Sequence, residues 1–566
     1  MDNRVVFLRF LHPPQIFAGL ISIVVLCCVA GCGKSEKPPV TPAITPTTAP
    51  PDARRARQHV LAVHWIGKNR LTQDTNAAYQ MEIWRMPESV NLETQTLDKL
   101  AKALPELLGV PSAGDTNQWT GVVRPLLDDL VQTESFSEFR TPADRPPEFA
   151  LAVRLAADRA STWLTNVGML KQLLSDSKSN LDQSASGIQF VLAGDWAILG
   201  VGGNEEGAFA EFVKRFSTTD LPEANTTNHW IEVNADLSRL VRSNSAFSSE
   251  NLPLVHLVIS GSGKDVRSRA ELTYPNPMDL HLEQWNFPTN LIKDPLISFS
   301  ALRGLAEAIE KSSIWRDLKE DAAPNQIYSW GLEGIPLQTY LAAMWPDASN
   351  SFYHLSEEFM QAANPYLASN RLGVVNRVAE SNGVVWMDTP FFAPFMRHAF
   401  DPAGENVFGG FFPLGTASRP VPVDLLHQVN SRTNLVFYSW EITESRIRTW
   451  TYLGQLLRMI CGKAQLNLGC TGMAWMQAVS AKLGNAVTVI ELADQRRLSV
   501  SRTSNCGFTG LELHALIDWL EAPNFPYGLY TFSAPAPARP TRRGKLLPAV
   551  SLPPTNEPHY QPKANP

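Results

Sequence analysis

Two stretches far apart in the chain share the same order of predicted elements, and this repeat constrains the fold most. An apolar segment at Glu148–Val153 precedes Arg159-Ala160-Ser161-Thr162-Trp163, and another at Asn434–Trp440 precedes Arg446-Ile447-Arg448-Thr449-Trp450. In both, the pattern Arg-x-x-Thr-Trp opens a run whose apolar stripe is typical of one helix face. Each run leads to a predicted hairpin and a further helix, at Ala208–Phe216 and Leu511–Leu520. This shared order predicts an internal duplication.

The strand patterns favour antiparallel pairing. Candidate strand pairs are separated by only a few residues, and such short connections join antiparallel neighbours. We therefore predict an α+β fold, in which two related lobes of antiparallel sheet pack with helices. The predicted lobes cover residues 59–290 and 291–532, with the boundary between Pro288 and Pro295. The predicted hairpins are Ile188–Leu192 with Trp196–Val201, Pro253–Ser260 with Val266–Tyr274, and Ala486–Leu492 with Arg497–Ser501.

The N-terminus has the three parts of an export signal. Arg4 and Arg9 precede an apolar run, Ile16–Ala30, which is too short to span a bilayer comfortably. The run ends in Val29-Ala30-Gly31-Cys32, which resembles the lipobox of bacterial lipoprotein signal peptides, with Val29 where leucine is commoner. An uncleaved anchor helix with an incidental cysteine is the alternative.

The resemblance implies an address for the protein. Residues 1–31 would be removed, and Cys32 would carry acyl chains, such as palmitate, that hold the chain on a membrane. The protein would then lie in the bacterial cell envelope, facing the periplasm or the cell exterior. Gly33 stands where an aspartate would retain a lipoprotein at the inner membrane, so the outer membrane is slightly favoured.

Proline-rich segments flank the predicted lobes. Residues 32–58 are rich in Pro and Thr and predict an extended tether, whereas 533–566 predict a Pro-rich disordered tail. The tail contains a basic cluster that is either simply solvated or contacts anionic envelope polymer. Its members are Arg539, Arg542, Arg543 and Lys545.

Charge and motif content exclude several classes of function. The formal net charge is -6, which argues against nucleic acid as the main partner. Gly261-Ser262-Gly263-Lys264 lacks the earlier glycine and the following Ser or Thr of a phosphate loop, and Gly200-Val201-Gly202-Gly203 leads to two glutamates that would repel a pyrophosphate. His-Glu-x-x-His and Gly-x-Ser-x-Gly patterns do not occur. We therefore predict no metal, no cofactor and no catalytic residue.

Two other features remain candidates for a site. Cys461 and Cys470 are close enough in the chain to form a disulfide in an exported protein, although Cys461 also fits a buried stripe position. Between Val384 and Leu414, aromatic residues alternate with Pro and Gly, which suits either chain packed irregularly across a sheet or an apolar binding surface with Arg397 and His398 at its rim. The residues of that possible surface are Trp386, Phe391, Phe392, Phe395, Phe411 and Phe412.

These observations lead to one functional expectation and one alternative. We expect a non-catalytic, lipid-anchored envelope protein that binds an envelope protein or an apolar ligand. The alternative is an envelope hydrolase whose catalytic carboxylates lie far apart in the sequence, because paired acids need no local motif.

Overall fold

A computed structural model describes residues 59–107, 116–141, 147–176, 188–202, 207–217, 229–241, 252–310, 323–333, 338–345, 348–369, 371–378, 383–388, 393–402, 404–412, 414, 419–460 and 469–526. The strands of the first half are β1 His59–Trp65, β2 Ser135–Arg140, β3 Glu148–Arg154, β4 Gln189–Ala193, β5 Trp196–Val201, β6 His229–Asp236, β7 Leu254–Ser262 and β8 Asp265–Thr273. Those that follow are β9 Lys293–Asp294, β10 Leu296–Arg303, β11 Gln326–Leu332, β12 Thr339–Met344, β13 Val374–Val378, β14 Gly383–Met387, β15 Phe395–Asp401, β16 Gly404–Gly410, β17 Arg419–Pro420, β18 Leu435–Ile442, β19 Asn485–Asp494 and β20 Arg497–Ser504.

The helices are long in some connections and short in others. Those in the first half are α1 Lys68–Leu71, α2 Ala78–Trp84, α3 Pro87–Leu107, α4 Thr116–Gln132, α5 Ala160–Asp176, α6 Ala208–Ser217 and α7 Leu237–Val241. Those in the second half are α8 Ala306–Glu310, α9 Ala348–Ser369, α10 Val423–Asn430, α11 Thr443–Ile460, α12 Thr471–Ser480 and α13 Gly510–Leu520.

Eighteen of the strands form one continuous antiparallel sheet. Their spatial order is β4-β5-β3-β2-β1-β6-β7-β8-β20-β19-β18-β10-β11-β12-β16-β15-β14-β13, while β9 and β17 pair separately. The predicted hairpins pair as expected, including β7 with β8, where Gly263 takes φ +65° in the turn. The α+β prediction of antiparallel sheet packed with helices is confirmed.

The two halves repeat the same strand order outward from the middle. From β8 the first half runs 8-7-6-1-2-3-5-4, and from β20 the second runs 20-19-18-10-11-12-16-15, with β14 and β13 added at its end. The equivalent strands β8 and β20 pair with each other, with Ala270 opposite Val500. This arrangement is the topology of an internal duplication around a pseudo-twofold axis.

The correspondence between the halves differs from the one that the sequence suggested. The repeated Arg-x-x-Thr-Trp pattern pairs β3 with β18, whereas the topology pairs β6 with β18 and β3 with β12. A shorter match agrees with the topology, because Ser238-Arg239-Leu240 follows β6 and Ser445-Arg446-Ile447 follows β18. The longer pattern therefore marks two helices that are similar locally but occupy different places in the fold.

Helices cover one face of the sheet more completely than the other. Side chains alternate across a strand, so Leu151 and Val153 of β3 pack on the α4 and α5 side, whereas Ala150 and Ala152 pack against α6. The first side is also occupied by α9 and by the α3, α11, α12 and α13 group, and we call it the helix-covered face. The opposite, open face carries α6 and α10 near its ends and exposes polar side chains such as His256, Arg269 and Ser499 between them.

Helices from both halves pack together across the middle of the helix-covered face. Met473, Met476 and Ile517 of the second half share a core with Ile83 and Leu92 of the first. Polar contacts add to this core: Lys99 Nζ donates to Leu520 O at 2.6 Å, and Trp475 Nε1 donates to Ser89 Oγ at 2.9 Å. The two halves are thus joined by a shared sheet and by a shared helical layer.

Candidate ligand-binding site

Helix α11 places an arginine and a tryptophan against the sheet one turn apart. The helix starts directly after β18, and Arg446 and Trp450 are four positions apart, so they lie on the same helix face. Both side chains are buried, at 6% and 9% exposure. We call this pair, with Thr449, the second motif, and we call Arg159, Thr162 and Trp163 the first motif.

The guanidinium of Arg446 has few partners for a buried charge. Its Nη1 donates to Thr339 Oγ1 at 3.3 Å, and its Cζ lies 4.8 Å from the centre of the Trp450 ring. Its Nε is buried with no hydrogen-bond partner, and within the described part of the chain no carboxylate lies within 4.0 Å. Burial lowers the pKa of Arg446, but an arginine stays protonated at neutral pH. This charged group therefore has one buried N–H without an acceptor and one long hydrogen bond to a neutral hydroxyl.

A glycine makes room for this guanidinium on the sheet. A Cβ atom at Gly331 would lie 3.0 Å from Arg446 Nη1 and 2.9 Å from Ser298 Oγ. Both distances are tighter than ordinary contacts, so any side chain at this position of β11 would displace the arginine or the serine. The sequence of β11 thus leaves a place for the Arg446 head beside Ser298.

The indole of Trp450 has the same deficit. Its Nε1 is buried and has no hydrogen-bond acceptor. A buried N–H that loses its water without gaining an acceptor costs about 1–3 kcal/mol. Two neighbouring donors of one helix, one of them charged, therefore lack an acceptor at the same place.

The nearest acidic side chain is already engaged elsewhere. Glu441, 6% exposed, attracts Arg446 electrostatically, but its Oε1 accepts from the backbone N–H of Gly510 at 2.6 Å. Gly510 is the first residue of α13, where Thr509 and Glu512 form a capping box. Burial raises the pKa of the Glu441 carboxyl. Its hydrogen bond to the N-terminus of α13 leaves Arg446 without a bonded counterion.

Small polar side chains line the sheet next to Arg446. Ser298 is buried, and Ser300 donates to Ser439 Oγ at 2.9 Å. Side chains alternate between the two faces of a strand, so these three serines and Ser329 all lie on the helix-covered face. Leu341, two residues beyond Thr339 on β12, is 50% exposed on the same face, so solvent reaches this part of the sheet.

The predicted apolar surface is partly assembled beside this motif. Trp386, Phe411 and Phe412 pack against Trp450, together with Leu453 and Leu456, and we call these four aromatic residues the aromatic cluster. Phe391 and Phe392 lie outside the described residues.

Other residues of the aromatic stretch have packing roles. Phe395 packs edge-on against Phe408 at 5.3 Å between ring centres, next to the core under α10. Of the two predicted rim residues, Arg397 lies over the Phe408 ring, and His398 is buried with its Nε2 3.2 Å from Glu405 Oε2. The structure therefore separates Phe395 and these rim residues from the aromatic cluster.

The first motif shows what its two donors do when an acid is present. Arg159 Nε lies 3.1 Å from both carboxylate oxygens of Asp129, and its Nη2 donates to Oδ2 at 3.0 Å. Trp163 Nε1 donates to the same Oδ2 at 2.8 Å. Arginine and tryptophan at this spacing thus hold one carboxylate between them, supplied by α4.

Other clusters have weaker claims as sites. The ligand atoms of Asp279, His281 and Glu307 lie within 4.8 Å of one another, but the first two side chains are exposed, and the cluster alone does not define a metal centre. A groove of 310 Å³ between α11 and α12 is lined mainly by apolar surface, including Met473, Met476 and the half-exposed Tyr452. Neither feature could be recognised in the sequence, because each depends on tertiary contacts.

The structure describes two of the three cysteines that follow Cys32, namely Cys470 and Cys506. Cys470 is a free thiol whose pKa is raised by burial, and Cys461 lies outside the described residues, so their pairing stays a prediction. Cys506 is also free, and burial raises its pKa to about 11, which makes it a weak nucleophile.

In the sequence, the second motif is recognisable as part of a repeated pattern but not as a binding site. The tertiary partner of each motif could not be read from the sequence. Asp129, which binds Arg159, lies on a different helix 30 positions earlier, and the sequence near Arg446 does not show whether an equivalent acid binds it. The anchor residue Cys32, the tether and the tail also lie outside the described residues.

Within the described residues, no helix is long and apolar enough to cross a membrane. No family model, curated protein or solved structure matches the chain.

Proposed function

We propose that this chain is a lipid-anchored protein of the bacterial cell envelope whose body binds an apolar ligand without transforming it. The observation that carries the binding proposal is the aromatic cluster, which meets helix α11 where two buried donors lack an acceptor. Ligand sites commonly combine aromatic walls with a few convergent polar groups.

The anchor follows from the lipobox-like sequence and is tested separately. Mass spectrometry of the full-length protein expressed in a bacterium should find an N-terminal Cys32 carrying acyl chains. The Cys32→Ser variant should lack the acyl mass and leave the membrane fraction. An unmodified N-terminus at any other residue would refute the anchor.

The apolar site is tested with a small neutral probe. Octanol should bind the full-length protein in nanodiscs above the level of empty nanodiscs, and Phe411→Ser with Phe412→Ser should lower that binding severalfold. Phe400→Ser is a matched control, because Phe400 is 72% exposed on β15 and does not belong to the aromatic cluster. Equal binding by the control and the double variant would reject the site. If a crosslinked envelope protein covers the aromatic cluster instead, the partner is a protein.

One observation favours the hydrolase alternative. His64 Nε2 lies 3.0 Å from Glu134 Oε1, although the two residues come from separate elements, and Glu134 also contacts Arg70 at 3.3 Å. A histidine oriented by a carboxylate can act as a general base. If a screen of ester, amide and glycoside substrates finds turnover that His64→Ala abolishes, the non-catalytic proposal is wrong.

A further inference from the structure

We propose that the second motif, Arg446 and Trp450, binds the carboxylate head of the ligand, and that the ligand is therefore a fatty-acid-like amphiphile. This inference rests on the proposed function, because it adds a head group to the apolar ligand of the aromatic cluster.

The two motifs differ in whether the protein supplies an acceptor for the arginine and the tryptophan. In the first motif, the arginine and tryptophan side chains hold one carboxylate through four contacts of 2.8–3.1 Å. The second motif has the same two residue types at the same spacing, yet Arg446 Nε and Trp450 Nε1 are both buried with no acceptor. The chain thus contains a pair that binds a carboxylate of the protein and a second pair whose two buried donors have no protein acceptor.

Arg446 carries a buried positive charge that no described carboxylate pairs with through a hydrogen bond. A buried arginine without a bonded counterion is costly, and proteins keep such a group where an anion completes it. Glu441 is the nearby acid, and its hydrogen bond to Gly510 N–H commits it to the start of α13. The remaining attraction between Glu441 and Arg446 is Coulombic only. A ligand carboxylate can therefore form the bonded ion pair that Glu441 does not.

Apolar and polar side chains both surround Arg446 and Trp450. Trp386, Phe411 and Phe412 pack against Trp450 and suit an alkyl chain. The guanidinium itself lies beside Thr339 and Ser298, whose hydroxyls can bond to a second carboxylate oxygen. An anionic head next to a hydrocarbon tail matches this order of surfaces, and a simple inorganic anion would leave the aromatic cluster unused.

The test compares three eight-carbon probes that differ only in the head group. Equilibrium dialysis of octanoate, octanamide and octanol is run on the full-length protein in phospholipid nanodiscs, with empty nanodiscs subtracted. The wild type should bind octanoate at least about tenfold more tightly than octanamide, since a charge-assisted bond is worth about 1.5–3 kcal/mol. Arg446→Met should remove this preference and keep octanol binding.

Two further variants keep the result interpretable. Arg448→Met is the matched control, because Arg448 is two residues away on α11 and is 63% exposed, with its Nη2 3.5 Å from Glu444 Oε1. It should leave all three affinities unchanged. Trp450→Phe keeps the charge and the ring, and it should weaken octanoate severalfold more than octanol. Circular dichroism and the unfolding midpoint establish that each variant is folded.

The outcomes separate the head group from the apolar site. Equal binding of octanoate and octanamide by the wild type, or an unchanged preference in Arg446→Met, would overturn the carboxylate inference while octanol binding keeps the proposed function. An equal loss in Arg448→Met would also overturn it, since surface charge alone would then explain the preference. If none of the probes binds, both the inference and the proposed apolar ligand fail.

Discussion

The two Arg-x-x-Thr-Trp motifs have the same local sequence and opposite surroundings. In the first, a carboxylate from a neighbouring helix accepts from both side chains. In the second, the described part of the chain offers no such acid within 4.0 Å, and the nearby Glu441 accepts from the first N–H of another helix. The difference shows that a local pattern defines which donors are presented, whereas the tertiary context decides whether the protein or an outside molecule accepts from them.

Removing the acid of the first motif should have the largest effect. Asp129→Asn takes away the charge that Arg159 and Trp163 share, at a side chain only 12% exposed. We expect the free energy of unfolding to fall by about 2–4 kcal/mol. Chemical denaturation measures it, with Asp128→Asn as control, because the Asp128 carboxylate is half-exposed and pairs with Arg124 at the surface of α4. A loss below about 1 kcal/mol would mean that the first motif is not a stabilising contact.

Replacing each arginine by methionine should give opposite signs. Arg159→Met leaves Asp129 buried without its partner and should cost about 2 kcal/mol of the free energy of unfolding. Arg446→Met removes a buried charge that lacks a bonded partner, so stability should stay the same or rise by up to about 2 kcal/mol. The same denaturation experiment compares them, and a similar loss in both variants would erase the contrast between the motifs.

The pH dependence of stability should report on Glu441. Burial raises its folded-state pKa above the ordinary value of 4.5, so its protonation stabilises the fold below that value and this contribution is lost as pH rises through the folded pKa. Glu441→Gln keeps an acceptor for Gly510 N–H and cannot ionise. Its unfolding midpoint minus that of the wild type should therefore increase from pH 4 to pH 8. A difference that is constant with pH would show that the carboxyl titrates normally.

The tryptophans should give the smallest difference. Trp163→Phe loses the hydrogen bond to Asp129 and should cost about 1–2 kcal/mol. Trp450→Phe removes a donor that has no acceptor, so without ligand the change should stay within about 0.5 kcal/mol, apart from the loss of ring area. Thermal unfolding of the ligand-free variants measures both. Equal losses would indicate that Trp450 has an acceptor after all.

Much of the fold could be predicted from local patterns. The strands at His59–Trp65 and Trp196–Val201 and the hairpin around Gly263 follow from alternation and turn chemistry, which act over a few residues. The sequence pattern predicts a helix over Leu302–Lys311, and this is wrong at its start, because β10 continues to Arg303 between β11 and β18. Tertiary pairing extended that strand against its local preference.

The candidate site could be predicted only in part. The aromatic residues around Phe411 were visible in the sequence, but their contact with Trp450 is a tertiary one, formed by residues about 40 positions apart in the chain. The lack of an acceptor for Arg446 Nε could not be predicted at all, because it depends on all of the side chains packed around the guanidinium. The same holds for Glu441, whose partner Gly510 is 69 residues away.

The pairing of β8 with β20 has a consequence for the history of the chain. The two strands are equivalent by topology and run antiparallel, so they meet as the edges of two identical subunits would in a symmetric dimer. A first half made alone would present β8, Asp265–Thr273, as an uncovered edge ready to pair with its own copy. Such a self-paired fragment would resemble a twofold ancestor from which gene fusion produced one chain. Such a fusion would let the two copies diverge, and the second half has β14 and β13 added at the end of its strand order.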